Sequence, residues 1–255
     1  MNIISSLLSK YPADQVTPQD FIDKLTIGNP GWQSAYLAVL LTVIFGMLVY
    51  IIPIYLTEKD HQGPYPLYMH TFYCAAYFMG IWVFLDTWSK NGHVVLFLLL
   101  AIGEAIWVLM EIYSLQRALT YEKDINWKPG TSFKTRLRDV IFQVLIFYVS
   151  LNLLRFELHD STMWKFWIFT QILITTVPGL SLEKQGSRQG HNVWLHVTLI
   201  CVVIASFNPW CNMWAIVAPK LFSPANNPWY YITGAVCLFF AVHGLIVYLK
   251  LPAKK

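Results

Sequence analysis

The stretch Val94-Val95-Leu96-Phe97-Leu98-Leu99-Leu100-Ala101-Ile102-Gly103-Glu104-Ala105-Ile106-Trp107-Val108-Leu109-Met110-Glu111-Ile112-Tyr113 is apolar throughout except for two carboxyls and a terminal tyrosine. About 20 such residues suffice for a helix to cross the hydrocarbon core of a bilayer. A charged residue at the centre of a spanning helix costs about 2.5 to 3.5 kcal/mol on insertion scales, so it persists where it faces a bundle interior or a wet cavity. Glu104 and Glu111 are two helical turns apart. Both therefore lie on one face, with Trp107 between them. The segment predicts a membrane helix with a polar interior site.

The rest of the chain agrees with this. Of its 255 residues, 56% are hydrophobic and 13% charged, with a mean hydropathy of +0.48. Soluble domains carry about 25% charged residues, and here no room remains for a sizeable one. The apolar blocks predict an all-α polytopic membrane protein of seven transmembrane helices, at about 34–56, 67–88, 94–117, 137–157, 163–180, 191–217 and 229–250. The fifth is the shortest and is expected to break near Pro178-Gly179. Residues 1–33 are expected to form an N-terminal interfacial segment, 34–250 one bundle domain, and 251–255 a basic cytoplasmic tail.

Orientation follows from Lys and Arg. With the N-terminus outside and the C-terminus cytoplasmic, twelve of the eighteen lie in inner segments. Trp32, Trp88, Trp164, Trp167, Trp210, Trp214 and Trp229 gather at the outer ends, as an aromatic belt does. Met1–Gly31 is mixed and polar, which is not the pattern of a signal peptide. Within it, Asp14–Leu25 reads as a surface helix capped by Thr17 with Pro18 at its first position. The formal charge of +4 reflects this topology and contact with anionic membrane lipids rather than nucleic acid.

Depth along the spans selects the candidate site. Glu111 lies about 9 Å from the inner end of its span at 1.5 Å per residue. His70, His196 and His243 fall in the same slab, with Gln143 at similar depth. A carboxyl in apolar surroundings can hold a proton at neutral pH, and a nearby histidine can accept or return one. The set suits acid–base work, with Glu111, Glu104, His243 and His70 as catalytic candidates. Structural readings stand beside the functional ones. His70 and His196 can be core histidines, and Glu111 can pair with Arg117 or Arg138. Asp86 reads as interfacial, and Asn208 before Pro209 as a mend for backbone hydrogen bonds at a kink. Tyr73, Tyr77 and Trp107 belong to an aromatic set that either packs helices or lines a cavity able to hold a polyene or carbocation. With His196 and Gln143 they are the substrate-binding candidates.

Metal chemistry is not indicated. Cys74, Cys201, Cys211 and Cys237 lack paired ligand spacing. His191 and His196, five apart, do not share a helix face. The motif pairs of seven-span zinc lipid hydrolases are absent, the seventh span lacks a retinal lysine, and neither a nucleophile elbow nor a phosphate loop occurs. No cofactor is expected, and the oligomeric state is left open.

Two local matches, together with the topology, give a resemblance. One is Ile54-Tyr55, then Asp60 and a turn rich in Tyr, Pro and Gly. The other is Phe239-Phe240-Ala241-Val242-His243 running to Tyr248 and a basic end. In these the chain resembles the small seven-span integral-membrane terpene cyclases of fungal meroterpenoid pathways, which protonate polyprenyl epoxides with membrane-embedded carboxyls. Ala76-Tyr77 stands where that family has a Trp-Glu pair, and His243 where it has an Asp. The resemblance then implies that Glu104 or Glu111 replaces the missing acid, with Tyr77 and His243 lining the pocket. The expected activity is proton-initiated isomerisation or cyclisation of a hydrophobic, isoprenoid- or lipid-like substrate. A proton-coupled transporter or binding protein, and a structural or assembly membrane protein, are the alternatives.

Overall fold

A computed structural model describes residues 16–254; Met1–Gln15 and Lys255, which include part of the proposed interfacial segment and of the basic tail, lie outside them. The described residues form helices and no strands. In chain order these are α1 (Pro18–Leu25), α2 (Trp32–Asp60), α3 (Leu67–Lys90), α4 (Val95–Thr120), α5 (Lys123–Asn126), α6 (Phe133–Glu157), α7 (Phe166–Gln185), α8 (Val193–Phe207), α9 (Met213–Val217), α10 (Pro219–Phe222) and α11 (Pro228–Lys250).

Six helices, α2, α3, α4, α6, α7 and α11, are long and apolar enough to cross a membrane. Their outward faces are apolar: on α6, Phe142, Leu145, Ile146, Val149 and Leu153 are all exposed. Such a continuous girdle suits lipid and not water.

The stretch 191–217, where a seventh span is expected, is not one continuous helix. There α8 ends at Phe207 after 15 residues, because Pro209 brings no backbone N–H and forces Asn208 into an extended conformation. The amide of Asn208 repairs the break. Its Oδ1 accepts from the backbone of Trp210 at 3.1 Å and of Cys211 at 2.6 Å, and its Nδ2 donates to Ile204 O at 2.9 Å. The expected break at Pro178 does not occur, and α7 runs through it. One missing N–H is tolerable inside a packed bundle.

The N-terminal surface helix is present as α1, with Thr17 as its N-cap. The backbone N–H of Thr17 donates to the Asp20 carboxylate at 2.7 Å. It is not a bare interfacial element, since Phe21 is buried edge-on against Trp164 at 4.7 Å.

Helix α3 packs between α4 and α6, while α11 packs against α7 and α8, and α8 also against α2. Close approaches depend on glycine. A Cβ on Gly179 of α7 would sit 2.9 Å from the Gly244 Cα of α11, and one on Gly234 would collide with the Phe207 Cβ. Helices α2 and α4, by contrast, touch at only a few positions. This packing leaves a central space walled by α2, α3, α4, α7 and α8.

The loops at one end of the bundle interlock. The Asp60 carboxylate accepts from Gly190 N–H at 2.8 Å and pairs with Lys254. Glu122 accepts from Gly63 N–H at 2.5 Å. Gly190, at φ +74°, lies so close to the 62–63 backbone that an added Cβ would be 2.7 Å from Gln62 O. This is the basic end, with Lys59, Arg117, Lys123 and Arg188; the opposite end carries Trp32, Trp88, Trp164 and Trp214.

Candidate functional site

Buried between the helices is a cavity of about 270 Å³. Its walls are aromatic. Tyr77 of α3 stacks on Trp107 of α4 at 5.4 Å, on Trp167 of α7 at 5.7 Å and on Tyr73 at 5.7 Å. The Tyr73 hydroxyl donates to Thr170 O at 2.6 Å, which fixes its ring. Trp107 and Glu104, three residues apart on α4, meet the cavity together, and both keep an unpartnered polar atom, Nε1 and Oε2 respectively. Glu104 is only 5% exposed. Its stem lies over Gly80 of α3, where a Cβ would come 3.0 Å from the Glu104 Cδ. A glycine at this place makes room for the carboxyl.

Glu111 lies beyond the cavity wall, with both of its oxygens engaged. One oxygen accepts from the Tyr50 hydroxyl at 2.6 Å, and the other meets His70 Nδ1 at 2.7 Å. The Tyr50 and Tyr77 hydroxyl oxygens are 3.0 Å apart, and both residues line the cavity. A continuous chain thus runs from His70 through Glu111 and Tyr50 to Tyr77 and the cavity. Toward the basic end, Tyr65 packs its ring 5.9 Å from that of His70. Burial holds the carboxyl of Glu122, in the loop that closes this end, above its ordinary range, against the opposing pull of the Gly63 N–H bond and of nearby His70.

The expected slab of converging groups is therefore only partly assembled. Glu111 and His70 meet. His243 turns outward instead and meets the Glu183 carboxylate at 3.1 Å, stacked on Phe239. Its position on α11 aims it at α7, away from the cavity. His196 packs against His191, ring centroids 5.4 Å apart and nearly parallel. The helix-face argument separating these two fails because His191 precedes α8 and is carried by a loop. Both are fully buried, with all four ring nitrogens unpartnered. Gln143 accepts from the Thr71 hydroxyl at 3.2 Å, linking α6 to α3 outside the cavity. Arg117 pairs with Glu58 at 2.5 Å and Arg138 with Asp139 at 3.0 Å, so neither serves Glu111. Asp86 pairs with Lys90 on the surface. Among the described residues, no three His, Cys, Asp or Glu side chains converge on a point that could hold a metal.

Tyr50, Trp167 and Gly80 were not among the sequence candidates. Tyr50 was accessible by depth, since it stands six residues from the inner end predicted for its span, as Glu111 does for its own. Chemically, the arrangement offers a buried carboxyl facing aromatic rings and a separate chain able to relay a proton. No family model matches the chain, and no curated protein or solved structure matches it either.

Proposed function

We propose that the chain is an integral-membrane enzyme that isomerises or cyclises an isoprenoid- or lipid-like substrate by proton transfer inside the bilayer. In this reading α8 and the segment to Val217 together form a seventh crossing, and the basic end faces the cytoplasm. Glu104 in its acid form gives a proton to a carbon–carbon double bond or an epoxide oxygen. The cation that develops lies against the faces of Trp107, Tyr77 and Trp167, whose quadrupoles favour positive charge. The proton lost from a neighbouring carbon passes to the Tyr77 oxygen. As it arrives, the Tyr77 proton moves to Tyr50 and that of Tyr50 to Glu111, with His70 compensating the charge. The proton held at Glu111 then returns through Tyr50 and Tyr77 to the Glu104 carboxylate, which closes the cycle, and exchange with water at the basic end through His70 brings in solvent hydrogen. The likeness to small membrane terpene cyclases supports the same chemistry with the acid moved to α4.

One observation carries the reading: a buried carboxyl with an unpartnered oxygen stands on the wall of an aromatic cavity whose neighbouring hydroxyls lead to a His–Glu pair. The test is incubation of membranes containing the protein in heavy water with farnesyl- and geranylgeranyl-chain epoxides, followed by mass spectrometry of the lipid extract. Product carrying solvent deuterium, lost in Glu104→Gln and reduced in Tyr77→Phe, is the expected result. Full turnover in both variants would exclude the mechanism.

A further inference from the structure

The shape of the cavity specifies what enters it and from where. Its lining follows α2 from Tyr36 to Tyr50, about 21 Å of helix at 1.5 Å per residue. One leaflet of the hydrocarbon core is about 15 Å deep. The space is thus a slot of lipid-tail length running along the helices, not a rounded chamber. Its polarity is graded. At the basic end stand the Tyr50 and Tyr77 hydroxyls, with Glu104 farther along; at the tryptophan-rich end stand Phe21, Leu25, Leu96, Trp164 and Trp214, with the Tyr36 hydroxyl taken up by Leu25 O, while Gln171 and Ser206 on the wall bond each other.

That apolar end is closed by α1. Phe21 is 1% exposed and wedged against Trp164 and Phe97, and the Tyr36 hydroxyl ties α2 to α1 by donating to Leu25 O at 3.0 Å. The side of the slot is different. Among the described residues, three of its lining side chains are also exposed on the outer surface: Tyr36 at 42%, Val43 at 39% and Leu99 at 60%. All three belong to α2 and α4, the neighbouring pair that barely touches. Their outward surface is part of the apolar girdle, so this mouth faces hydrocarbon.

We infer that the ligand is a single-chain amphiphile dissolved in the membrane, loaded sideways between α2 and α4. It lies with its polar head at Tyr50 and Tyr77 and its tail toward α1. This rests on reading the cavity as the substrate site but specifies orientation and route, which the catalytic proposal does not. A soluble metabolite would have to enter past α1 or the interlocked loops of the basic end. A two-chain lipid would need twice the cross-section at the slot.

The probe is farnesol with a photoactivatable diazirine at its tail end, applied to the protein in lipid nanodiscs. Crosslinked peptides are mapped with and without excess unlabelled farnesol. Competable labels are expected on α1 and on the Val95–Leu100 turns of α4. Gly46 faces Trp107 across the slot, and a Cβ there meets only the Trp107 ring, at 3.6 Å. Gly46→Leu should therefore enter without backbone clash and reduce competable labelling about tenfold or more, the penalty a misplaced branched side chain imposes on an apolar pocket. At the mouth, Val43→Trp with Leu99→Trp should slow the approach to full labelling, whereas Ile146→Trp on the lipid face of α6 should not. Labels that resist competition or concentrate on α6 and α11 would overturn the inference, as would unaltered labelling kinetics in the mouth variant. Intact competable labelling without turnover would leave the site and its route standing and remove only the catalytic reading.

Discussion

Replacing His70 by leucine should destabilise the bundle by about 3 to 5 kcal/mol, the cost of stranding one partner of a buried ion pair. Glu111 is 1% exposed and has two partners, His70 Nδ1 at 2.7 Å and the Tyr50 hydroxyl at 2.6 Å. Without His70, the Tyr50 bond alone is left, worth about 1.5 to 3 kcal/mol as a bond to a charged group. Glu111→Leu should be costly for the converse reason, because the His70 ring is 7% exposed and loses its hydrogen-bond partner. The double variant removes both charges and fills their volume with hydrocarbon, a change often neutral or stabilising by about 1 to 4 kcal/mol. The two single costs therefore cannot add. The coupling between the positions should be about 3 kcal/mol or more, read as a four-variant cycle of reversible unfolding in mixed micelles. Tyr50→Phe supplies an intermediate reference. A coupling below about 0.5 kcal/mol, the scale of independent sites, would show that His70 and Glu111 do not form a charged pair and would break the proton chain at its first link.

His191, in the loop before α8, is buried neutral, with burial first and then the charges of His196 and Lys254 pulling its pKa down to about 3. Tyr248 beside His196, Arg188 over Tyr248 and the Asp60–Lys254 pair complete its charged and titratable surroundings. An opened loop takes up a proton below about pH 6.5 and the closed one does not, so stability falls as pH drops through this window, by about 2 kcal/mol at pH 5. Protease sensitivity of the 186–192 loop should rise with acid, and His191→Phe should flatten that dependence. Gly179→Val should splay α7 from α11 and cost about 1 to 3 kcal/mol through overpacking. Gly103→Val is the matched control, since a Cβ there meets nothing within 4 Å; equal melting temperatures for the two would contradict the close crossing.

How far the sequence carries depends on which physical constraint acts. Hydrophobic runs report burial in lipid along a single helix, and they located α3, α4, α6 and α11 to within a few residues. They report nothing about a backbone break inside an apolar run, so 191–217 reads as one span; the Asn208-Pro209 pair marks a kink there, and the structure ends the helix at Phe207. Helix faces are legible only within a helix. Glu104, Glu111 and Trp107 can be related by spacing, but His191 meets His196 through a loop whose path depends on Gly190 against the 62–63 backbone. Depth without azimuth misled for His243, which lies at a level suited to the site on a face turned toward Glu183. Tyr50 went unselected because a tyrosine in an apolar helix reads as packing until a carboxylate is found at its hydroxyl. Glycine contacts such as Gly80 under Glu104 are invisible without the partner helix.

The two carboxyls that decide the reading of the sequence end in different chemical situations, and that difference assigns their roles. Spacing makes them equivalent: same helix, same face, two turns apart. The neighbours on α3 separate them. Opposite Glu111, α3 presents His70, and α2 adds Tyr50, so each oxygen of that carboxylate is engaged by a partner. A filled carboxylate is a poor donor to a substrate, because transferring its charge or proton disrupts two short hydrogen bonds. Opposite Glu104, α3 presents Gly80, which supplies space and no partner. An unfilled carboxyl on a cavity wall can reach a guest at little reorganisation cost, which is what a preorganised acid requires. Moving the acid to Glu111 would need His70 and Tyr50 to release it. Moving it to Glu104 needs only a ligand in the slot. Glu104 as donor and Glu111 as the anchor of the hydroxyl chain is thus the assignment in which each carboxyl keeps the surroundings the bundle gives it.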